Sequence, residues 1–247
     1  MPAGKVSVVG IGPGLPDHMT AKAREALEKS DVVIGYKLYV EQVKNLLSQQ
    51  EIIASSMGKE VERCLLAIDK AGNGKKVALV SGGDPGIYGM SGLLLQLAGE
   101  KNPSLEVEII PGVTAAGAAA ALLGAPLMHD FAVISLSDLL TPWELIEKRL
   151  EAAAYADYVI VLYNPRSRGR SDLLSRAREI VLKHRQSETP VGIVRGAGRN
   201  NQKQWETTLE ELTVLIEAVD MASLVIIGNS HTYWDGCKMI TPRGYQV

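Results

Sequence analysis

The sequence is poor in cysteine, and the few cysteines present do not indicate a metal site or a disulfide framework. Only Cys64 and Cys237 occur among 247 residues, far apart and without a Cys-x-x-Cys spacing, beside four scattered histidines. A structural zinc site needs four closely spaced ligands of these types, so we expect no metal. The two cysteines could pair, but a reduced chain in the cytoplasm is the expectation.

Long apolar runs and a basic excess are also missing. No stretch of about 18 apolar residues occurs, and the first residues lack the apolar core of a signal peptide, so we predict neither a membrane span nor a leader. The 26 basic and 28 acidic residues give a net charge of −2, whereas nucleic-acid binders usually carry a basic excess. We therefore expect neither a membrane nor a nucleic-acid partner.

Aromatic residues make up only 5% of the chain, with a single Phe, so the core must consist mainly of Val, Ile, Leu and Ala. Short β-branched runs alternate with amphipathic stretches, which predicts an α/β fold with mostly parallel sheets covered by helices. Thr20 is placed to cap the first helix, and Thr141 begins a capping box for a later one. A linker-like segment at residues 124–130 predicts two α/β domains, 1–125 and 126–247.

The first glycine turn (residues 10–14) lacks the features of a phosphate-binding loop. A dinucleotide fold requires a third glycine where Leu15 stands, Pro13 has no amide to offer, and Gly35-Tyr36 replaces the acidic residue expected after the second strand. No P-loop motif occurs elsewhere. Three interpretations remain: a nucleotide loop with a poor match, a tight turn without a ligand, or a close backbone approach to a ligand that is not bound through its phosphate.

Two further turns follow predicted strands. In the second glycine turn (residues 81–89), Asp84 either meets a cation or ribose hydroxyls or only organises its own turn, and both interpretations stay open. In the third turn (residues 111–115), Thr114 is placed to cap an alanine-rich helix, while nearby amides meet a ligand carboxylate.

These three turns, in this order and spacing, resemble the tetrapyrrole methyltransferase family over essentially the whole chain. More specific stretches resemble one branch of it, whose members methylate a corrin precursor in cobalamin biosynthesis and contract its ring. They are SGGDPGIYGM at 81–90, LGAPLMHDF at 123–131, ISLSDLLTPW at 134–143, YNPRSRGR at 163–170 and MITPRGY at 239–245.

The resemblance implies S-adenosylmethionine as cofactor, bound in a cleft between two α/β domains, a tetrapyrrole substrate and a homodimer. The positions matching the family's cofactor site are Gly82, Gly83, Asp84, Ile87, Thr114, Ala115, Tyr163, Asn164, Gly196, Ala197 and Thr208. Pro13, with its neighbours Gly12 and Gly14, matches the wall of the tetrapyrrole trough.

Ring contraction requires proton transfers, and histidine is the side chain best suited to them near neutral pH. His129 is the candidate acid/base, with a hinge or core histidine as the alternative, and His18 is a weaker candidate. Arg166 and Arg168 are candidates for the substrate's acetate and propionate groups, with a solvated loop or subunit contact as the alternative.

Methylation of another tetrapyrrole position or of RNA, and a non-catalytic tetrapyrrole-binding module, are the competing functions. The near-neutral charge and the specific middle motifs argue against RNA, and the intact second and third turns argue for a working cofactor site.

Overall fold

The computed structural model describes residues 4–166 and 172–246. The chain forms two compact units, unit 1 (Met1–Ala115) and unit 2 (Ala116–Val247). Within the described residues, no helix is both long enough and apolar enough to span a lipid bilayer.

Unit 1 is built on a five-stranded sheet in which every strand pair is parallel, as the sequence predicts. Its strands are β1 (Lys5–Gly10), β2 (Val32–Tyr36), β3 (Glu51–Ser55), β4 (Lys76–Ser81) and β5 (Glu106–Ile110). Its helices are α1 (Ala21–Glu28), α2 (Lys37–Val43), α3 (Glu60–Gly72) and α4 (Ser91–Lys101). Single turns of 3-10 helix occur at Pro16–His18 and Lys44–Leu46.

Helices cover both faces of this sheet because successive strand residues point to opposite sides. Val6 and Val8 of β1 pack with α3 and α4, whereas Val9 and the following Ile11 pack with α1 and α2. Thr20 caps α1, since its hydroxyl accepts the N–H of Ala23, which confirms that prediction.

The strand order, β3-β2-β4-β1-β5, creates a switch point between β1 and β4. The connection leaving β1 passes over β4 to β2, while the connection leaving β4 passes over β1 to β5. Open α/β sheets bind their ligands where neighbouring connections diverge in this way, outside the carboxyl ends of the strands. The first and second glycine turns follow these two strands.

Helices cover both faces of the main sheet of unit 2. Its helices are α5 (Ala115–Leu123), α6 (Trp143–Tyr155), α7 (Leu173–Leu182) and α8 (Leu212–Leu215), with a 3-10 turn at Ile216–Ala218. Its strands are β6 (Gly124–Ala125), β7 (Phe131–Ser135), β8 (Val159–Tyr163), β9 (Pro190–Arg195), β10 (Lys203–Thr208), β11 (Ser223–Ile227), β12 (Tyr233–Asp235) and β13 (Lys238–Ile240). Strands β12, β13 and β6 form a separate small sheet.

The main sheet of unit 2 is mixed, in the order β10-β9-β11-β8-β7, and this corrects the prediction of a mostly parallel sheet there. Only β7 and β8 run parallel, while β11 is antiparallel to β8 and β9, and β10 is antiparallel to β9. A parallel pair needs a crossover of about a dozen residues or more, and the short turn from β9 to β10 does not provide one. The α/β class itself is confirmed.

The units divide at Ala115, earlier than the predicted boundary at residue 125, because α5 packs within unit 2. The methyl groups of Leu123 lie so close to Gly192 of β9 that an added Cβ there would stand 2.4 Å from one of them. At the other end of the helix, the N–H of Ala116 donates to the Tyr163 hydroxyl at 3.0 Å.

The predicted capping box at Thr141 is wrong. Helix α6 begins after Pro142, and no side chain caps it. Its N-terminus is held instead by packing, since Trp143 is buried and carries the guanidinium of Arg176 over its ring at 4.0 Å.

Candidate active site

The first and second glycine turns are hydrogen-bonded to each other at the carboxyl edge of the unit 1 sheet. The N–H of Gly12 donates to the Gly83 carbonyl at 3.2 Å, and the N–H of Gly83 donates to the Gly12 carbonyl at 2.7 Å. Gly12 and Gly83 both have positive φ, at 76° and 63°, which a residue without a side chain adopts at little cost. The two turns therefore form one backbone platform.

Asp84 ties the third turn to this platform. One carboxylate oxygen accepts the N–H of Gly86 at 2.8 Å, and the other accepts the N–H of Gly112 at 3.0 Å. These contacts match the interpretation in which Asp84 organises its own turn. Asp84 also organises the third turn, through Gly112. The lone pairs that remain on the carboxylate are the part available to a ligand.

Two further residues of this region were missed from the sequence, Gly112 and Tyr39. A Cβ on Gly112 would lie 2.1 Å from the Gly83 carbonyl oxygen, and one on Gly82 would lie 2.6 Å from the Tyr39 ring. The Pro-Gly pair at 111–112 was the only sequence signal for Gly112. Nothing in the sequence pattern indicates that Tyr39, on α2, approaches Gly82.

Residues 86–89 of the second glycine turn are exposed to solvent. Ile87 is 39% exposed, and the adjacent Tyr88 has a φ of 53°, which is uncommon for a residue with a side chain. Thr114 and Ala115 are partly buried at the start of α5. Gly83 keeps the chain close to these residues without filling the space beside them, since a Cβ there would stand 3.6 Å from the Ala115 nitrogen. A small polar ligand such as S-adenosylmethionine fits this arrangement of bare backbone and exposed side chains.

In the first glycine turn, Gly12, Pro13 and Gly14 are buried while Leu15 is exposed. His18 is an exposed residue at the end of the following 3-10 turn.

In unit 2, Tyr163 and Asn164 lie where β8 ends. The Tyr163 hydroxyl accepts the first free N–H of α5, as described above. Asn164 has a φ of 52°, and its side-chain amide donates to the Ser135 hydroxyl at 2.9 Å. Backbone strain of this kind concentrates at functional sites. Among the described residues, Tyr88, Asp157 and Asn164 are the non-glycine positions with positive φ, and two of them are in the candidate site.

Gly196 and Ala197 lie at the same end of the unit 2 sheet, directly after β9. Gly196 has a φ of 61° and donates its N–H to the Ala222 carbonyl at 2.9 Å. Because β11 begins opposite the end of β9 and runs against β8, this end also holds the last residues of β8. The structure thus groups four of the predicted cofactor residues, Tyr163, Asn164, Gly196 and Ala197.

The structure does not bring Thr208 to that group. Thr208 pairs with Pro190, at the beginning of β9, and so lies roughly 20 Å along the strand from Gly196. Its hydroxyl accepts the N–H of Glu211 at 3.3 Å, which places it at the start of α8.

His129 lies in the exposed segment before β7. Its side chain is 46% exposed, and Nδ1 accepts the N–H of Asp130 at 2.8 Å. The exposure of the side chain excludes the core-histidine interpretation, and the hydrogen bond engages Nδ1.

Arg166 is largely occupied by contacts within unit 2. Its guanidinium donates to both carboxylate oxygens of Glu217, at 2.9 and 2.8 Å, and to the Ile216 carbonyl at 2.8 Å. Arg168 lies outside the described residues.

Cys64 and Cys237 are both free, the first buried in unit 1 and the second exposed in unit 2. Burial raises the pKa of the Cys64 thiol to about 11, so this thiol stays protonated at neutral pH. Nowhere in the described part of the chain do three or more His, Cys, Asp or Glu side chains group closely enough to hold a metal ion.

The model of the tetrapyrrole (corrin/porphyrin) methylases matches residues 5–213. The chain therefore belongs to this family, and it is an enzyme of the tetrapyrrole methyltransferase class. This confirms the resemblance drawn from the glycine turns.

Individual relatives narrow the likeness to one branch. A Salmonella typhimurium protein named probable cobalt-factor III C(17)-methyltransferase is 53% identical over 242 residues, which are 98% of this chain and all of that one. Two other curated relatives are longer, and the chain spans 45% and 53% of them.

Solved structures agree with the fold. The methyltransferase CobJ superposes with a TM-score of 0.90 at 35% identity, over 97% of this chain and all of CobJ. The uroporphyrin-III C-methyltransferase of Thermus thermophilus, in complex with S-adenosylhomocysteine, gives a TM-score of 0.71 at 26% identity, over 91% of this chain and 97% of that one.

Proposed function

We propose that the protein transfers a methyl group from S-adenosylmethionine to C17 of a precorrin-3B-type macrocycle and takes part in the contraction of the ring, in cobalamin biosynthesis. The relative from Salmonella, 53% identical over its whole length, has cobalt-factor III in its name. This supports the cobalt-containing form of the substrate. The solved structures of a cobalt precorrin-4 methyltransferase and of uroporphyrin-III C-methyltransferase share 26% to 28% identity with this chain.

The observation that carries the proposal is the joining of the three turns by hydrogen bonds at the switch point of the unit 1 sheet. When bound there, S-adenosylmethionine supplies an already activated methyl group on a positively charged sulfur. Gly82, Gly83, Asp84 and Ile87 hold its methionine and ribose part, together with Thr114 and Ala115. The bare backbone at these glycines allows a ligand to approach the chain closely.

The residues of unit 2 hold the adenine and ribose in this proposal. Tyr163, Asn164, Gly196 and Ala197 share one end of the sheet and form this part of the site. Thr208 is also proposed as a cofactor residue, but the strand register places it at the other end of β9 from Gly196. The proposal for unit 2 therefore rests on the other four residues.

Orientation is the main contribution of the protein to methyl transfer. C17 of a partly reduced tetrapyrrole is an enamine-like carbon nucleophile, so the transfer needs no strong base. Holding two reactants in line replaces a bimolecular encounter with an effectively unimolecular step. The rigid platform of Gly12, Gly83, Asp84 and Gly112 is suited to this, and Pro13 with Gly14 would line the trough for the macrocycle.

Ring contraction expels an oxygen-bearing carbon as an acetyl group on C1 and requires protons to move. We propose that His129 gives and takes a proton at Nε2, because Nδ1 is engaged by the Asp130 amide. His129→Gln is expected to slow contraction while leaving methylation near the wild-type rate. If the variant carried out both methylation and contraction at the wild-type rates, His129 would have no part in the mechanism.

Carboxylates of the substrate are proposed to meet Arg166 and Arg168. Arg166 has guanidinium N–H groups beyond those used by Glu217 and Ile216, and a bidentate carboxylate contact would have to use them. The test is the Michaelis constant for the tetrapyrrole in Arg166→Gln/Arg168→Gln, which should rise while that for the cofactor stays unchanged.

We also propose that the enzyme works as a homodimer in the cytoplasm. The family resemblance supports the dimer, and the two free cysteines suit a reducing compartment. Light scattering of the purified protein would give twice the mass of the 26.6 kDa chain, and a monomer mass at working concentration would contradict the dimer.

Cofactor binding can be tested with a matched pair of glycine variants. Gly83→Ala and Gly58→Ala both place a side chain at positive φ, 63° and 81°, but Gly58 precedes α3 and has nothing within 4 Å of an added Cβ. The strain is therefore similar, and only Gly83→Ala should weaken S-adenosylhomocysteine binding, by about tenfold or more in calorimetry. Equal affinities in the two variants would exclude the second glycine turn from the cofactor site.

A further inference from the structure

The loop between β7 and α6 (residues 136–142, the leucine loop) presents the most exposed leucines among the described residues. Leu140 is 98% exposed and Leu139 is 73% exposed, and Leu145 on the first turn of α6 is 41% exposed. Isolated apolar residues on a surface are ordinary, but several together mark a contact site. Three exposed leucines within seven residues form such a group.

The leucine loop is held at both ends, so the exposure of its middle is a built feature. Leu136 is fully buried, and its N–H donates to the Tyr163 carbonyl at 2.9 Å. At the other end, Trp143 is buried beneath Arg176.

Ser135 connects the leucine loop to the candidate cofactor residues of unit 2. Its hydroxyl accepts the side-chain amide of Asn164 at 2.9 Å and the N–H of Ser137 at 3.2 Å. Because β7 runs parallel to β8, with Ser135 opposite Tyr163, the loop leaves the same end of the sheet as Tyr163 and Asn164. The exposed leucines therefore lie on a loop that leaves the end of the sheet to which the proposed function assigns the cofactor.

We propose that Leu139 and Leu140 form an apolar contact for the flat face of the tetrapyrrole, a role that rests on the proposed function. The macrocycle is a broad apolar ring with carboxylates only at its rim, so its face must be desolvated against apolar side chains to bind tightly. In this proposal, arginines bind the carboxylates at the rim of the macrocycle, whereas the leucine loop contacts its flat face. A second copy of the chain is the competing occupant, and the experiment distinguishes the two.

The test measures equilibrium binding of cobalt-factor III by visible absorption, together with S-adenosylhomocysteine affinity and molar mass. Leu139→Asn/Leu140→Asn keeps the side-chain size and removes the apolar surface. We expect its dissociation constant for cobalt-factor III to rise about tenfold or more, with cofactor affinity and mass unchanged. Leu139→Met/Leu140→Met should restore binding, since methionine keeps an apolar contact of similar volume.

Tyr155→Asn is the control, because Tyr155 is also highly exposed, at 80%, but ends α6 at the opposite end of the sheet. An unchanged constant for cobalt-factor III in the double Asn variant overturns the proposal, and a halved molar mass would then assign the loop to a subunit contact. The proposal is also overturned if Tyr155→Asn weakens binding of cobalt-factor III as much as the double Asn variant does. It is likewise overturned if the double Asn variant weakens cofactor binding to the same degree. Wild-type protein that binds cobalt-factor III but does not methylate it would refute the proposed function and leave this inference standing.

Discussion

At Gly112, two turns of unit 1 approach each other so closely that no side chain fits. A Cβ there would lie 2.1 Å from the Gly83 carbonyl oxygen and 2.9 Å from the Gly10 backbone. Gly112→Ala must therefore push the third turn away from the platform. We expect it to lower the free energy of unfolding by about 1–3 kcal/mol, as overpacking does, and to abolish S-adenosylhomocysteine binding in calorimetry.

Gly99→Ala is the matched control for this prediction. Gly99 lies on the exposed side of α4, and nothing stands within 4 Å of an added Cβ. Alanine is a better helix former by about 0.5–1 kcal/mol, so the control should be as stable as the wild type or more stable. If Gly112→Ala is as stable as Gly99→Ala and binds S-adenosylhomocysteine equally well, the close approach at Gly112 is not needed for folding or for cofactor binding.

Asp84 can be tested with a substitution that keeps its shape. In Asp84→Asn, the amide nitrogen faces an N–H that the carboxylate accepted, from either Gly86 or Gly112, and leaves it unpaired. Losing such a bond costs about 1–3 kcal/mol, and cofactor affinity should fall with it. Asp69→Asn, on the exposed side of α3, should change neither chemical unfolding nor affinity. Wild-type behaviour in Asp84→Asn would contradict the organising role.

At this scale the sequence predicts which residue types cluster but not how they share their hydrogen bonds. It identified Asp84 as polar and strand-terminal, but left open whether its oxygens face a ligand or the chain. Gly112 escaped notice because the reason for a glycine there is the distance to Gly83, 29 residues away in sequence. The sequence could not place Thr208 relative to Gly196, because the strand between them, β10, was not predicted.

Among the elements, the loop after β8 is fastened to the 3-10 turn before β11 by Arg166. Removing the guanidinium in Arg166→Ala leaves the Ile216 carbonyl without its donor and releases the loop that carries Asn164. We expect a loss of about 1–3 kcal/mol in the free energy of unfolding. Glu217→Ala should cost little, because Glu217 is 85% exposed and surface ion pairs contribute little. A stable Arg166→Ala with a raised tetrapyrrole constant would assign Arg166 to the substrate alone.

The turn from α6 to β8 gives a pH-dependent prediction. Burial would raise the pKa of the Asp157 carboxyl, but hydrogen bonds from Ser230 and the charge of Arg185 outweigh it and hold the pKa below its usual range. A lowered pKa means that the stabilisation is present above the unfolded pKa, about 3.9, and is lost as the pH falls through the folded value.

Asp157→Asn removes that stabilisation while tolerating the positive φ of the position, which asparagine adopts readily. We expect it to be about 1–2 kcal/mol less stable than the wild type at pH 7, because the buried Arg185 keeps its backbone carbonyl partners but loses its carboxylate partner. The loss is moderated because Asp157 is partly exposed. In urea unfolding between pH 7 and 3, the gap should close as the pH drops. If the stability difference between the wild type and Asp157→Asn stays constant with pH, the charge of the Asp157 carboxylate does not contribute to it.

The central strands of unit 1, β1, β2 and β4, follow from the sequence because each is a run of buried, mostly aliphatic residues. Strand β10 (KQWETT) gives no such signal, since it is an exposed edge strand with polar residues on both faces. The antiparallel order of unit 2 depends on short connections that periodicity does not reveal. The boundary at Ala115 depends on where α5 packs. The loop-like segment that follows this helix led to a predicted boundary at residue 125 instead.

For the whole molecule, two units of about equal size each gather the proposed cofactor residues at one end of a sheet. In unit 1 the parallel order makes this inevitable, because all carboxyl ends meet at one edge. In unit 2 the mixed order separates the strand ends into two groups, and only Tyr163, Asn164, Gly196 and Ala197 fall together. In the proposed function, each group holds one part of the cofactor.

The central claim is methyl transfer to C17, and labelled cofactor tests it most directly. The protein is incubated with cobalt-factor III and S-adenosylmethionine carrying a carbon-13 methyl group, and the product is examined by mass spectrometry and NMR. We predict one labelled methyl group per macrocycle, attached at C17 of a contracted ring. A label at another ring carbon, or cobalt-factor III recovered without label from protein that binds S-adenosylhomocysteine, would contradict it.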